Sequence, residues 1–173
     1  TSDDPTVNNT RLSRSVSWSV TDANSDAVGA QSSLSVTSTV NVTAVNDRPV
    51  ATAGSSLSYT EQGVAAVIDN TITLSDLDDT QIASASVTIA NVVTGDTLGF
   101  TTQNGISGSY DSATGVLTLT GPATIAQYQA ALRSVTFSST SDDPTVNATR
   151  PSRSISWSVT DANSDAVGAQ SSL

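Results

Sequence analysis

Arg14-Ser15-Val16-Ser17-Trp18-Ser19-Val20-Thr21 alternates apolar and polar side chains without a break. The same alternation returns at Arg153-Ser154-Ile155-Ser156-Trp157-Ser158-Val159-Thr160. Successive side chains of a strand point to opposite faces, so Val16, Trp18 and Val20 share one face and Ser15, Ser17 and Ser19 the other. A half-buried antiparallel strand is expected, with the indole in a sandwich core rather than on a sugar-stacking surface. Working outward, residues 34–44, 56–60, 64–68, 86–90, 116–120 and 134–138 alternate in the same way and are broken by Gly, Asn and Asp. Asp111-Ser112-Ala113-Thr114-Gly115 reads as a hairpin turn between residues 106–110 and 116–119. One stretch departs from period two. Ile125, Tyr128 and Leu132 fall at i, i+3 and i+7 behind Thr124, a good N-cap, which predicts a short helix over 124–132. The Tyr and Phe residues are expected to pack in the core or at its edge. The fold class is therefore an all-β antiparallel sandwich with one short helical connection.

The two quoted strands belong to a longer repeat. Residues 1–34 reappear at 140–173 with three differences: Asn9 against Ala148, Leu12 against Pro151 and Val16 against Ile155. The offset of 139 residues is too long for a solenoid unit, and it suits a whole domain copied in tandem. Ala44-Val45-Asn46-Asp47-Arg48-Pro49-Val50 reads as the junction, because Pro49 excludes both a helix and central ladder pairing. Residues 1–45 then carry the last strands of one repeat, and residues 46–173 a second repeat whose final strand, the counterpart of 35–45, is missing. A 45-residue piece is too small for its own core, so strand exchange between copies of the chain is expected to order it.

Composition narrows the function classes. Fifteen of the sixteen acids are Asp, Glu61 is the other, and all six cations are Arg. The net charge of −10 argues against binding nucleic acid or anionic membranes. Cys, His and Met are absent, which removes disulfides and thiolate or imidazole metal ligands. It also removes the usual bases that activate a serine, as the lack of Lys does, so no enzyme is expected. No apolar run approaches the ~20 residues of a membrane span. Small extracellular domains without disulfides often rely on hard cations, and oxygen-ligated calcium becomes the natural suspect.

The junction Ala44-Val45-Asn46-Asp47-Arg48-Pro49-Val50 resembles the Asn-Asp-x-Pro-Val junction of bacterial cadherin-like repeats, the extender modules of RTX-type and other large surface adhesins. Leu57-Ser58-Tyr59-Thr60-Glu61-Gln62-Gly63, Leu74-Ser75-Asp76-Leu77-Asp78-Asp79 and Gly115-Val116-Leu117-Thr118-Leu119-Thr120-Gly121 are similar to further signatures of those repeats. So are Tyr128-Gln129-Ala130-Ala131-Leu132-Arg133-Ser134-Val135 and Trp157-Ser158-Val159-Thr160-Asp161. The resemblance implies an Ig-like or cadherin-like sandwich, an extracellular location on a bacterial surface, a role in cell adhesion or biofilm formation, and calcium at or near inter-domain linkers. By the same resemblance Glu61, Asp76, Asp78 and Asp47 would form one linker-proximal site.

Read from the residues themselves, Asp76-Leu77-Asp78 directs two carboxylates to one side, Asp79 is adjacent, and Asn46 and Asp47 sit in the junction. Such oxygen-rich loops suit Ca²⁺, which takes six to eight oxygen ligands in irregular geometry; they are equally the residues that initiate turns. A second candidate is Asp22-Ala23-Asn24-Ser25-Asp26 with its copy Asp161-Ala162-Asn163-Ser164-Asp165. Asp22, Asn24 and Asp26, like Asp161, Asn163 and Asp165, could converge on an ion. As an EF-hand the loop fails, since Ala27 and Ser33 replace the required Gly and acid. Asp3-Asp4-Pro5 and Asp142-Asp143-Pro144 are most simply turns. The expected role is a calcium-stiffened spacer between neighbouring repeats of one polypeptide. The alternative is a module that binds a glycan or protein, or that associates with itself.

Overall fold

The computed structural model describes residues 5–7, 10–163 and 167–172, and the chain divides into two compact units, Thr1–Val45 and Asn46–Leu173. In the first, β1 (Ser13–Trp18) pairs antiparallel with β2 (Val36–Asn41), with Ser13 opposite Asn41 and Trp18 opposite Val36. Both strands are exposed along their whole length. Trp18, expected in a core, is 57% exposed, and its indole N–H donates to Ser38 Oγ at 3.1 Å. The reason is the layer count: a two-stranded ribbon has no opposing sheet to cover its apolar face. The Arg14 guanidinium closes the loop before β1 by donating to the carbonyls of Pro5 and Arg11. Asp3 and Asp4 lie outside the described residues.

The second unit is an all-β sandwich. In chain order its elements are β3 (Val50–Thr52), β4 (Ala66–Val67), β5 (Thr73–Ser75), β6 (Gln81–Ile89), β7 (Asp96–Gly99), β8 (Ser107–Asp111), β9 (Val116–Thr124), α1 (Ile125–Arg133), β10 (Thr136–Ser139) and β11 (Ile155–Asp161). One sheet has the order β11-β6-β9-β8, the facing one β4-β10-β7, and β3 pairs with β5; every pairing is antiparallel. Between the layers lie Ile82, Val87 and Ile89 of β6, Leu117 and Leu119 of β9, Val159 of β11, and Leu98 and Phe137 of the facing sheet, all buried. Fully burying a side chain of this size contributes about 1.5–3 kcal/mol, so the alternation read in the sequence is what holds the layers together. Trp157, the counterpart of Trp18, is partly buried against this core.

Local chemistry sets the connections. Asp111 Oδ1 accepts from Ala113 N–H and Oδ2 from Thr114 Oγ1, while Gly115 takes φ +73° and returns the chain into β9. At the helix start, Thr124 Oγ1 accepts from Gln127 N–H and Gln127 Oε1 accepts from Thr124 N–H, which makes a capping box. Tyr128, Ala131 and Leu132 face inward, and the Tyr128 hydroxyl reaches the carbonyls of Ala83 and Gly121 at 3.0 and 2.9 Å. Burial pushes that phenol up to about 12.

Three short strands, β3, β5 and β7, carry too few residues for their period to show. Residues 56–60, expected as a strand, are irregular instead. There the Tyr59 hydroxyl donates to the carbonyl of Gly63 at 2.6 Å and accepts from Ser139 N–H at 3.1 Å, tying the segment down by a side chain rather than a ladder.

Candidate metal centre

β11 ends, and β6 begins, at the same pole of the sandwich, since Asp161 pairs with Ile82. A register shift between Thr160 and Asp161 falls where Asp161 is turned fully into the protein. Two other segments meet there: the start of the second unit at Asn46 and Asp47, and the loop between β5 and β6 with Asp76, Asp78 and Asp79. Asn46, Asp78, Asp79 and Asp161 are all buried, at 5%, 7%, 3% and 0% exposure.

The loops are locked by the carboxylates themselves. Asp76 Oδ1 accepts from the N–H groups of Asp78 and Asp79 at 3.3 and 3.2 Å. Asp78 Oδ2 accepts from Asp47 N–H at 2.8 Å. Asp161 Oδ2 accepts from Asn46 Nδ2 at 3.1 Å and from Gln170 N–H at 2.7 Å, and its Oδ1 from Asn163 N–H at 3.0 Å. Gln170 Nε2 donates to the Asn46 carbonyl at 2.8 Å, and Arg48 Nε donates to Gln170 Oε1 at 3.0 Å. Asp47 thus contributes its backbone to the pole.

What this network leaves over is informative. Among the described residues no donor reaches the buried oxygens Asn46 Oδ1, Asp76 Oδ2 and Asp78 Oδ1. Carboxylate oxygens of Asp76, Asp79 and Asp161 lie within 4.8 Å of one another. Two oxygens bound to one Ca²⁺ at 2.3–2.6 Å can be at most about 5 Å apart, so the spacing fits. Among the described residues no cationic side chain forms an ion pair with Asp76, Asp78 or Asp161. Burial pushes the Asp76 carboxyl up to about 6, the neighbouring Asp78 carboxyl adds to the rise, and the N–H groups of Asp79 and Asp78 oppose it. A divalent cation would supply the missing partner. The donors are hard oxygens throughout, which suits Ca²⁺ rather than a thiophilic metal.

The other buried acids of this unit show the contrast. Asp69 accepts from Gly54 and Ser55 N–H at 3.0 Å each, and from Thr71 N–H and Oγ1 at 2.7 and 2.6 Å. Burial pushes its carboxyl upward, but these four bonds win and hold it well below the usual carboxylate range. Asp96 pairs with Arg153, Nε to Oδ2 at 2.5 Å and Nη2 to Oδ1 at 3.2 Å, and accepts from Val93 N–H at 2.9 Å. Protein groups satisfy both acids. Neither was a sequence candidate; the turn-forming Asp-Asn-Thr at 69–71 was the available signal for Asp69.

The remaining sequence candidates lie elsewhere. Glu61 is exposed on the turn after Tyr59, next to Ser139 and Asp142 through the bonds of Tyr59 and Gln62. Ser139 pairs with Asp96 at the far ends of β10 and β7, so Glu61 belongs to the opposite pole and stands outside the cluster that the resemblance would have given it. Asn163 bends the loop with φ +53° and offers its N–H to Asp161, while Asp165 lies outside the described residues. In the first unit the same loop is built alike: Asp22 accepts from Asn24 and Gln31 N–H at 2.9 and 3.1 Å, and Asn24 Oδ1 from Gly29 N–H at 2.6 Å. There Asp22, Asn24 and Asp26 are exposed, and Asp26 accepts from Val28 N–H. In the second unit Asp161 is instead buried, beside carboxylate oxygens of Asp76 and Asp79 and accepting from Asn46. Gln170, which ties Asp161 to Asn46, was not foreseen.

Comparison with known proteins finds similarity to Halomucin of Haloquadratum walsbyi (strain DSM 16790 / HBSQ001), 35% identical over 113 residues. The match takes in 61% of this chain and 1% of that protein, so the chain corresponds to a small part of a very long polypeptide. No family model and no solved structure matches. Among the described residues no helix is long and apolar enough to cross a membrane.

Proposed function

We propose that this chain is an extracellular, non-enzymatic repeat module of a very large surface protein, and that it serves as a spacer stiffened by calcium. The observation that carries the reading is the pole of the second unit, where four carboxylates and one amide converge with three buried oxygens left without donors. Several kcal/mol attach to each uncompensated buried charge, and an ion held there turns that cost into stabilisation. Asn46 and Asp47 are the first residues of the unit, so an ion that fixes them shortens the free linker to the preceding repeat. The tandem copy in the sequence and the likeness to a fragment of Halomucin support a module in an array. Adhesion at a bacterial surface is the role implied by the resemblance to adhesin extenders.

Calorimetric titration with calcium tests this. The wild-type chain should bind with a dissociation constant of about 10⁻⁴–10⁻³ M, as extracellular calcium modules do. Asp79→Asn should weaken binding at least tenfold while the far-ultraviolet dichroism stays that of the wild type. An unchanged isotherm for that variant would remove the assignment.

A further inference from the structure

Three of the four arginines in the second unit are engaged away from its acid-rich pole. Arg153 pairs with Asp96 at the opposite end of the sandwich. Arg150 stands in the loop before it and accepts from Arg153 Nη1 through its carbonyl at 2.9 Å. Arg133, at the end of α1, donates to the Ile72 carbonyl at 2.7 Å. Arg48 is the fourth. It follows Asn46 and Asp47, with which the unit enters the pole, and its Nε donates to Gln170 Oε1 at 3.0 Å. Gln170 in turn gives its N–H to Asp161 Oδ2 at 2.7 Å and its Nε2–H to the Asn46 carbonyl at 2.8 Å. One glutamine therefore separates a guanidinium from a buried carboxylate of the cluster.

Asp76, Asp78, Asp79 and Asp161 bring four carboxylates to this pole, and Arg48 stops short of Asp161, bonding to an amide oxygen and staying exposed. A guanidinium keeps its proton at every working pH, so its charge is constant. Held one side chain away, it acts on the cluster through space rather than by direct pairing. In the metal-free protein it offsets part of the repulsion among the acids. Once a divalent cation is seated, the two positive charges oppose each other. The same charge thus supports the empty pole and weakens the hold on the ion. A single positive charge within a Debye length of a divalent ion, about 10 Å at 0.1 M salt, weakens its binding severalfold.

We propose that Arg48, positioned by Gln170, sets the calcium affinity of the pole: its fixed positive charge keeps the site in the weak range, so that the joint responds to extracellular calcium and not to traces of it. The inference rests on the calcium reading of this pole and adds to it the residue that tunes the response.

Calorimetric titration with calcium chloride at about 0.01 M and about 1 M salt, where the Debye length is about 30 and about 3 Å, tests this. Arg48→Gln loses the charge and retains a donor for Gln170. It should bind calcium about three- to tenfold more tightly than wild type at the lower salt, and the gap should close at the higher. Arg48→Lys keeps the charge and should stay within about twofold of wild type. In EDTA at low salt Arg48→Gln should unfold at a lower urea concentration than wild type, because the empty pole has lost its cation. Equal affinities of wild type and Arg48→Gln at low salt, with calcium bound by both, would overturn the role of Arg48 and leave the site standing. A lysine variant as tight as the glutamine one would also overturn it, since the hydrogen bond and not the charge would then be at work. If wild type bound no calcium, the reading of the pole would fall and this inference with it.

Discussion

Replacing Asp76 by Asn should make the metal-free protein more stable and the calcium response much weaker, a pair of opposite effects that a merely structural Asp would not give. Asp76 Oδ1 accepts two backbone bonds that an amide oxygen can keep, while its buried Oδ2 has no donor. The carboxyl is pushed from 3.8 up to about 6 in the folded chain, by burial first and by Asp78 in addition. A raised folded value means that the protonated form is favoured in the fold. The stability it contributes is complete below about pH 4 and is lost as pH rises through about 6. At pH 7 the ionised side chain therefore destabilises the metal-free fold, by about 1–2 kcal/mol once the screening of a partly exposed carboxyl is allowed for. Asp76→Asn removes that cost. Urea unfolding in EDTA should show the variant more stable by about 1–2 kcal/mol at pH 7 and equal to wild type near pH 4. In saturating calcium the order should reverse, because wild type gains binding free energy that the variant lacks. A variant less stable than wild type at pH 7 in EDTA, with an undiminished calcium gain, would refute the reasoning.

Other outcomes follow from the same geometry. Asp161→Asn should lower calcium affinity at least tenfold in a calorimetric titration, whereas Asp22→Asn, in the exposed copy of the loop, and Glu61→Gln, at the opposite pole, should leave the isotherm unchanged. Arg153→Ala leaves the buried Asp96 carboxylate without its cation and should cost about 3–5 kcal/mol in urea unfolding; Arg14→Ala, whose guanidinium meets only carbonyls among the described residues, should cost far less. Thr124→Ala removes one half of the capping box and should lower stability by about 1 kcal/mol in the same assay.

Much of this architecture is written in local pattern. The Val-Ser-Trp-Ser alternation sets which side chains of β11 face the core, and Thr124 with Ile125, Tyr128 and Leu132 marks α1, because both signals lie within a few residues of each other. Length limits the reading elsewhere: three residues at Val50–Thr52 or Thr73–Ser75 cannot display a period. Trp18 and Trp157 carry the same local signal, and only the number of layers around each separates an exposed indole from a packed one. The acid cluster divides in the same way. Asp76, Asp78, Asp79 and Asn46 stand out as oxygen-rich loop residues, yet Asp161 reads as part of a separate loop. It reaches them because β11 lies beside β6, whose first residues follow Asp79. Glu61 joins neither group because Tyr59 ties its turn to Ser139.

The most direct measurement is a crystal structure grown in millimolar calcium, with the ion located by its anomalous scattering. One calcium should be bound by carboxylate oxygens of Asp76, Asp79 and Asp161 together with the free oxygens of Asn46 or Asp78. Density at that pole with no ion, or an ion held at the exposed Asp22 loop alone, would contradict it.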